Sequence, residues 1–171
     1  MTSGLAIAPT AEMIENRTFG EIEIGDSASI VHRVTARDIE LFAIVSGDVN
    51  PAHLDRAYAA GDMFHHVIAH GMLGAALISA VLGTRLPGPG AIYLAQDLRF
   101  LAPVSIGDAI TATVTVTEKH APKGDITLDC RCVNQTGVAV ITGTARVRAP
   151  TEKVLRPRVR LPEVTLSGHV L

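Results

Sequence analysis

The sequence predicts an α+β domain in which an antiparallel β-sheet wraps around a long central α-helix. Three observations predict it. Residues 71–82, Gly-Met-Leu-Gly-Ala-Ala-Leu-Ile-Ser-Ala-Val-Leu, are apolar nearly all round, the pattern of a helix covered on most sides. Beyond Leu86-Pro-Gly-Pro-Gly90, a loop that cannot continue a helix, the period changes to alternation in four segments, roughly 91–102, 108–120, 125–134 and 138–148. The turns Pro122-Lys-Gly-Asp125 and Asn134-Gln-Thr-Gly137 join neighbouring segments as hairpins, which makes those strands antiparallel.

Taken in order, residues 1 to about 16 carry no clean period and read as an N-terminal arm, ahead of a domain over 17–149. Gly25-Asp26 is a turn, and Ser27 to Val34 alternates as a strand. Thr35 can cap a helix with Asp38 three residues on as its capping-box partner; Ile39, Phe42 and Ala43 form the buried stripe, and Gly47 stops it. A loop follows from Asp48 to Pro51, then a short helical stretch from His53 to Ala60 ended by Gly61-Asp62. In the strand near 108–120, Thr111, Thr113, Thr115 and Thr117 face one way, and Ile110, Ala112, Val114 and Val116 the other. An unpaired edge strand of such a sheet needs cover, which dimerisation by edge-to-edge pairing supplies. Residues 150–171 are basic and broken by proline, as in Arg156-Pro-Arg-Val-Arg-Leu-Pro162, and read as a C-terminal tail or linker.

Composition narrows the function classes. A chain of 171 residues fits one ordinary domain with a real core, and with 47% hydrophobic but 4% aromatic residues that core is aliphatic. Fifteen basic against seventeen acidic residues, a formal net charge of -2, leave no electrostatic footprint for nucleic acid or an anionic membrane surface. No basic segment precedes the short apolar run at the N-terminus, and no stretch approaches a membrane span, so the expected compartment is the cytoplasm. Cys130 and Cys132, the two cysteines, point to one face of one strand; with no second pair to complete a metal site they read as small structural thiols.

Two short segments hold the candidate chemistry. Asp48 and His53 stand five residues apart in a constrained loop after a helix stop. An aspartate hydrogen-bonded to a water and a neutral histidine beside it can orient that water and remove its proton. Equally, an Asp after Gly is a common turn former and an isolated His a common packed residue, and Asn50 and Asp55 suit loop-bracing and capping. The second segment, Ile68-Ala-His70-Gly71, begins the apolar helix, where free N–H groups and the helix dipole favour negative charge and glycine admits a ligand to the backbone. It can serve as an oxyanion hole, or Gly71 can be a tight helix start and His70 a packed polar residue. His53, His65, His66 and His70 lie close in sequence, but no Glu stands where a zinc peptidase helix carries one, so no metal is expected.

Together the segments resemble the MaoC-like (R)-specific enoyl-CoA hydratases. The resemblance rests on Ser46-Gly-Asp48-Val-Asn-Pro-Ala-His53-Leu-Asp55, on Phe64 with Ile68-Ala-His-Gly-Met-Leu73, on Leu86-Pro-Gly-Pro-Gly-Ala-Ile-Tyr-Leu-Ala-Gln96-Asp-Leu-Arg-Phe100 and on Pro103-Val-Ser-Ile-Gly-Asp108, in order across about residues 20–148. It implies a hot-dog fold, a homodimer or larger homo-oligomer, an enoyl-CoA substrate and no cofactor. It implies that Asp48 and His53 bind and activate water, that the Gly71 amide holds the thioester oxygen, and that Ser79 helps shape the acyl pocket. Ala52 departs from the larger aliphatic residue that relatives often place between the Pro and the His. Some relatives are fused at the C-terminal end to a phosphate acyltransferase domain, which makes the tail a candidate linker. The competing readings are 3-hydroxyacyl dehydration, thioester hydrolysis, or a non-catalytic domain that binds acyl-CoA or dimerises. Hydrolysis ranks lower because a hot-dog thioesterase more often carries its carboxylate on the central helix, and no acid occurs between Gly71 and Leu82.

Overall fold

A computed structural model describes residues 12–168 and 170–171. In chain order the elements are β1 (Met13–Glu15), β2 (Ser27–Arg33), α1 (Ala36–Ser46), α2 (Pro51–Leu54), α3 (Arg56–Gly61), α4 (Gly71–Thr84), β3 (Ile92–Phe100), β4 (Ala109–His120), β5 (Asp125–Val133), β6 (Ala139–Arg148) and β7 (Leu155–Pro157). Five strands form one antiparallel sheet in the order β2-β4-β5-β6-β3. The β4-β5-β6 meander follows from its two hairpin turns, while β3 returns to pair on the far side of β6.

Alternation sets which face is buried. Ile110, Ala112, Val114 and Val116 of β4 are all 1% exposed or less, as the threonine-out register requires. Ile126, Leu128, Cys130 and Cys132 of β5 lie on the same inner face, and burial pushes the two thiols up, to about 11 and about 12. Helix α4 crosses this face, packing chiefly on β4 and less on β2 and β5. Its buried residues Ile78, Val81 and Leu82 each contribute about 1.5–3 kcal/mol by leaving water. At the β3–β6 seam the backbones approach so closely that a Cβ at Gly143 would lie 1.9 Å from the Asp97 carbonyl oxygen, so only glycine fits.

Three expectations need amending. The apolar helix was expected to be covered on most sides, yet Met72, Ala76, Ser79 and Gly83 are exposed, because the five strands curl around one side only. The helical stretch from His53 to Ala60 divides at Asp55, whose carboxylate accepts from the Ala57 and Tyr58 N–H groups and so starts a new helix. Within the arm and the tail, the described residues pack onto the domain: β1 pairs with β7, and fully buried Asn16 bonds to the carbonyls of Pro89 and Glu152 and to the Val154 N–H. At the far end of the tail, Leu171 packs against the core, and the Val170 and Leu171 N–H groups donate to Glu40 Oε1 on α1, at 2.8 and 3.0 Å. Residues 1–11 of the arm lie outside the described residues. No helix among those described is long and apolar enough to cross a membrane.

Candidate active site

The loop that carries Asp48 and His53 is built by local hydrogen bonds that its sequence encodes. Thr35 and Asp38 form the reciprocal capping box that starts α1, and Gly47, left-handed at φ 74°, ends it. The chain leaves the helix through Ser46, whose hydroxyl donates to the Phe42 carbonyl at 2.6 Å and accepts from the Asp48 N–H at 3.2 Å. Asp48 Oδ1 then accepts from the Asn50 N–H, and Asn50 Oδ1 from the Ala52 N–H, so each polar side chain braces the backbone two residues on. Pro51 at the first position of α2 sets the helical turn that aims His53 back toward α4.

His53 is half-buried, and its Nδ1 lies 2.8 Å from the Ile68 carbonyl oxygen. A carbonyl only accepts, so Nδ1 bears the proton and, in the neutral ring, Nε2 is a bare lone pair. Beside it lies His70, 3% exposed, with ring centroids 4.0 Å apart and Phe42 on the other side at 5.0 Å. His70 Nε2 lies 3.0 Å from the main-chain oxygen of Asp48, and its buried Nδ1 has no hydrogen-bond partner. Burial holds the His70 ring below the usual histidine range, against the opposing pull of its bond to Asp48. Side-chain heteroatoms of Asp48, His53 and His70 lie within 4.8 Å of one another. Each offers a donor atom of the kind a divalent cation takes, and this is the one such trio among the described residues.

A cavity of about 280 Å³ opens beside the two imidazoles. His53, His70 and Gly71 line its polar end; Leu73, Leu77 and Ile141 are among the apolar residues that line the rest. Gly71 is the first residue of α4, so its N–H has no acceptor within the helix. The Phe100 ring lies against it, close enough that a Cβ at position 71 would come within 2.9 Å of Cε1. The sequence-predicted residues therefore divide. Asp48, His53 and Gly71 converge, although Asp48 is exposed and borders the site through its neighbours without lining the cavity. Ser79 does not join them: it is exposed and lines no part of the cavity. The reason is helical phase, because cavity residues Leu73, Gly74 and Leu77 share one flank of α4, and two residues beyond Leu77 the helix has turned about 200°. Phe42 and Phe100 were not anticipated as site residues; each belongs to a correctly expected element, but alternation and helical period do not say which ring reaches the site.

This geometry, an antiparallel sheet around one helix with an Asp and a His in the loop opposite that helix's N-terminus, is that of a hot-dog-fold protein. The family model for the MaoC like domain matches residues 23–135, and the chain belongs to that family. Over 132 residues, 77% of this chain and 91% of the other, it is 52% identical to the (R)-specific enoyl-CoA hydratase of Rhodospirillum rubrum. It is 42% identical over 139 residues to the 3-hydroxybutyryl-CoA dehydratase of Methylorubrum extorquens, covering 81% and 88% of the two chains. Among solved structures, the unliganded R-hydratase PhaJ1 from Pseudomonas aeruginosa aligns with a TM-score of 0.87 at 45% identity, over 91% of this chain and 100% of that one.

Proposed function

We propose that the protein is a hydro-lyase that adds water across the double bond of a trans-2-enoyl-CoA to give the (R)-3-hydroxyacyl-CoA. One observation carries the site assignment: His53, its Nδ1 committed to a backbone carbonyl and its Nε2 left bare, lies at the polar end of an apolar cavity with side-chain heteroatoms of Asp48 and His70 within 4.8 Å. The names of the R. rubrum and P. aeruginosa relatives support the reaction. In the proposed chemistry, Asp48 and His53 hold one water on a single face of the substrate. His53 Nε2 takes a proton from it as its oxygen bonds to C3. The double-bond electrons move onto the thioester oxygen, which the Gly71 N–H stabilises as it becomes an enolate; a donor placed this way is worth about 2.7–4 kcal/mol. The Asp48–His53 pair then delivers a proton to C2, giving back the one that His53 took from the water, which restores the thioester, returns the pair to its starting state and completes the addition. The apolar wall takes the acyl chain. The same site run backwards dehydrates a 3-hydroxyacyl thioester, the direction named for the M. extorquens relative.

We also assign the working unit to a homodimer joined through β3. It is an edge strand of the five-stranded sheet, and it exposes Ile92, Tyr93, Leu94 and Phe100. Such an apolar edge is covered by antiparallel pairing with a second copy. The test of function is loss of the enoyl-thioester ultraviolet absorbance with crotonyl-CoA, for wild type, Asp48→Asn and His53→Ala, with chiral analysis of the product. Turnover to the (R) product that collapses in both variants is expected. Folded wild-type protein that leaves crotonyl-CoA and longer enoyl-CoAs untouched would overturn the reading in favour of acyl-CoA binding or another thioester reaction.

A further inference from the structure

We infer that His70 is a positioning residue for hydration, and that the hydrogen bond from its Nε2–H to the Asp48 carbonyl oxygen is what holds the Asp48 carboxylate in register with His53. The inference rests on the reading of Asp48 and His53 as the water-activating pair. Residue 70 is the N-cap of α4, where a polar side chain usually accepts from the first-turn N–H groups. His70 makes no such bond. Its side chain reaches 22 residues back along the chain to the main-chain oxygen of Asp48, at 3.0 Å. For residues 47–50 every other hydrogen bond among the described residues is local, to residues within about one helical turn. Residues 47–50 are exposed, and among the described residues this bond is the one that ties them across the fold, while residues 52 and 53 just beyond are held separately by Ile68.

The base of that tie is rigid. Ile68 bridges to Ser105, and the Ala69 N–H donates to the Val104 carbonyl at 2.8 Å, so the backbone just before His70 is held by a neighbouring segment. Phe42 and His53 pack on the His70 ring. Because a carbonyl only accepts, Nε2 must carry the proton, which leaves Nδ1 bare, buried and unpartnered. An apolar ring would fill the same space without that cost, so packing alone does not account for an imidazole here. The directed donor does. His70 also precedes Gly71 directly, so one residue fixes the spacing between the water-activating loop and the amide proposed for the thioester oxygen. In this scheme it exchanges no proton with water or substrate, although its ring lines the polar end of the cavity, and it acts through Asp48 and His53.

The test separates donor from ring in the full-length protein with crotonyl-CoA. His70→Phe keeps an aromatic ring and removes the donor; His70→Gln keeps an N–H at similar reach and removes the ring. His70→Phe is expected to lower kcat by about 10- to 100-fold, the scale of a misplaced catalytic group, with KM within about twofold. His70→Gln is expected to recover most of kcat. In wild type, nitrogen-15 NMR of the ring should show Nε2 protonated and Nδ1 bare. Wild-type kcat in folded His70→Phe, while Asp48→Asn has collapsed, overturns the inference. So does a folded His70→Gln no faster than His70→Phe, or an Nδ1-protonated ring. If His70→Phe does not fold, His70→Gln against wild type and the tautomer decide it. Undiminished kcat in Asp48→Asn and His53→Ala instead overturns the hydration reading itself.

Discussion

Gly71→Ala tests a close contact at the polar end of the cavity. The added methyl carbon would stand 2.9 Å from Phe100 Cε1 and 3.0 Å from Cδ1, inside contact distance, so the ring must move. The Phe100 ring must leave its rotamer to make room, and an off-rotamer ring costs about 0.5–1.5 kcal/mol. Replacing glycine in a helix returns up to about 1 kcal/mol. The two nearly cancel, and at about 2–4 °C of Tm per kcal/mol for a chain of this size the variant should melt within about 4 °C of wild type. Activity has no such offset. In the proposed mechanism the thioester oxygen comes within about 2.7–3.1 Å of the Gly71 nitrogen, in space that the methyl and the displaced ring would contest. A carbonyl displaced by about 1 Å loses on the order of 100-fold in rate. Enoyl-thioester absorbance with crotonyl-CoA, alongside thermal melting, reads both quantities. A Gly71→Ala enzyme with wild-type Tm and kcat/KM within threefold of wild type, a margin of about 0.65 kcal/mol, would refute close approach of the substrate to this amide.

The remaining predictions concern substrate range and stability. Leu77→Ala enlarges the apolar wall of the cavity, and kcat/KM should shift toward longer enoyl-CoAs by up to about fourfold per newly buried methylene, at about 0.8 kcal/mol each; a series of chain lengths checks it. Arg148 and Arg146 hold the Asp125 carboxyl below the usual carboxylate range. A depressed folded-state pKa stabilises above the unfolded value of about 3.9 and is lost as pH falls through the folded value. Asp125→Asn should therefore melt below wild type at pH 7, and the gap should close on acidification below pH of about 4, followed by calorimetry. Glu40→Ala removes the acceptor of the Val170 and Leu171 N–H groups. It should cost about 1–3 kcal/mol, or about 2–12 °C of Tm by thermal melting.

Much of the fold was legible because it depends on local chemistry. The alternation of β4, the Thr35–Asp38 box and the Gly47 stop each specify backbone geometry within a few residues, and each stands as read. Asp48, His53 and Gly71 were legible by resemblance, and the structure brings them together. What escaped was set by contacts between distant segments. Asn16 is buried because carbonyls near residues 89 and 152 converge on it, which no local period encodes. Ser79 was named by resemblance, but its angle on α4 relative to the cavity is a tertiary quantity. His70 stood in plain view beside Gly71; its donor role depends on a carbonyl 22 residues earlier.

The bond between Glu40 and the end of the tail also orders events in time. Glu40 is 5% exposed in the finished fold, and the N–H groups it accepts from lie 130 and 131 residues later in the chain. At a synthesis rate of about 5–20 residues per second, the ribosome takes about 6–26 s to make that intervening stretch. Throughout that interval the sheet and α4 can assemble while the outer side of α1, the helix that leads into Asp48, lacks its final contact. Completion of this face therefore waits on residues 170 and 171, and a nascent chain held just short of residue 170 is the species in which to observe the domain before it closes.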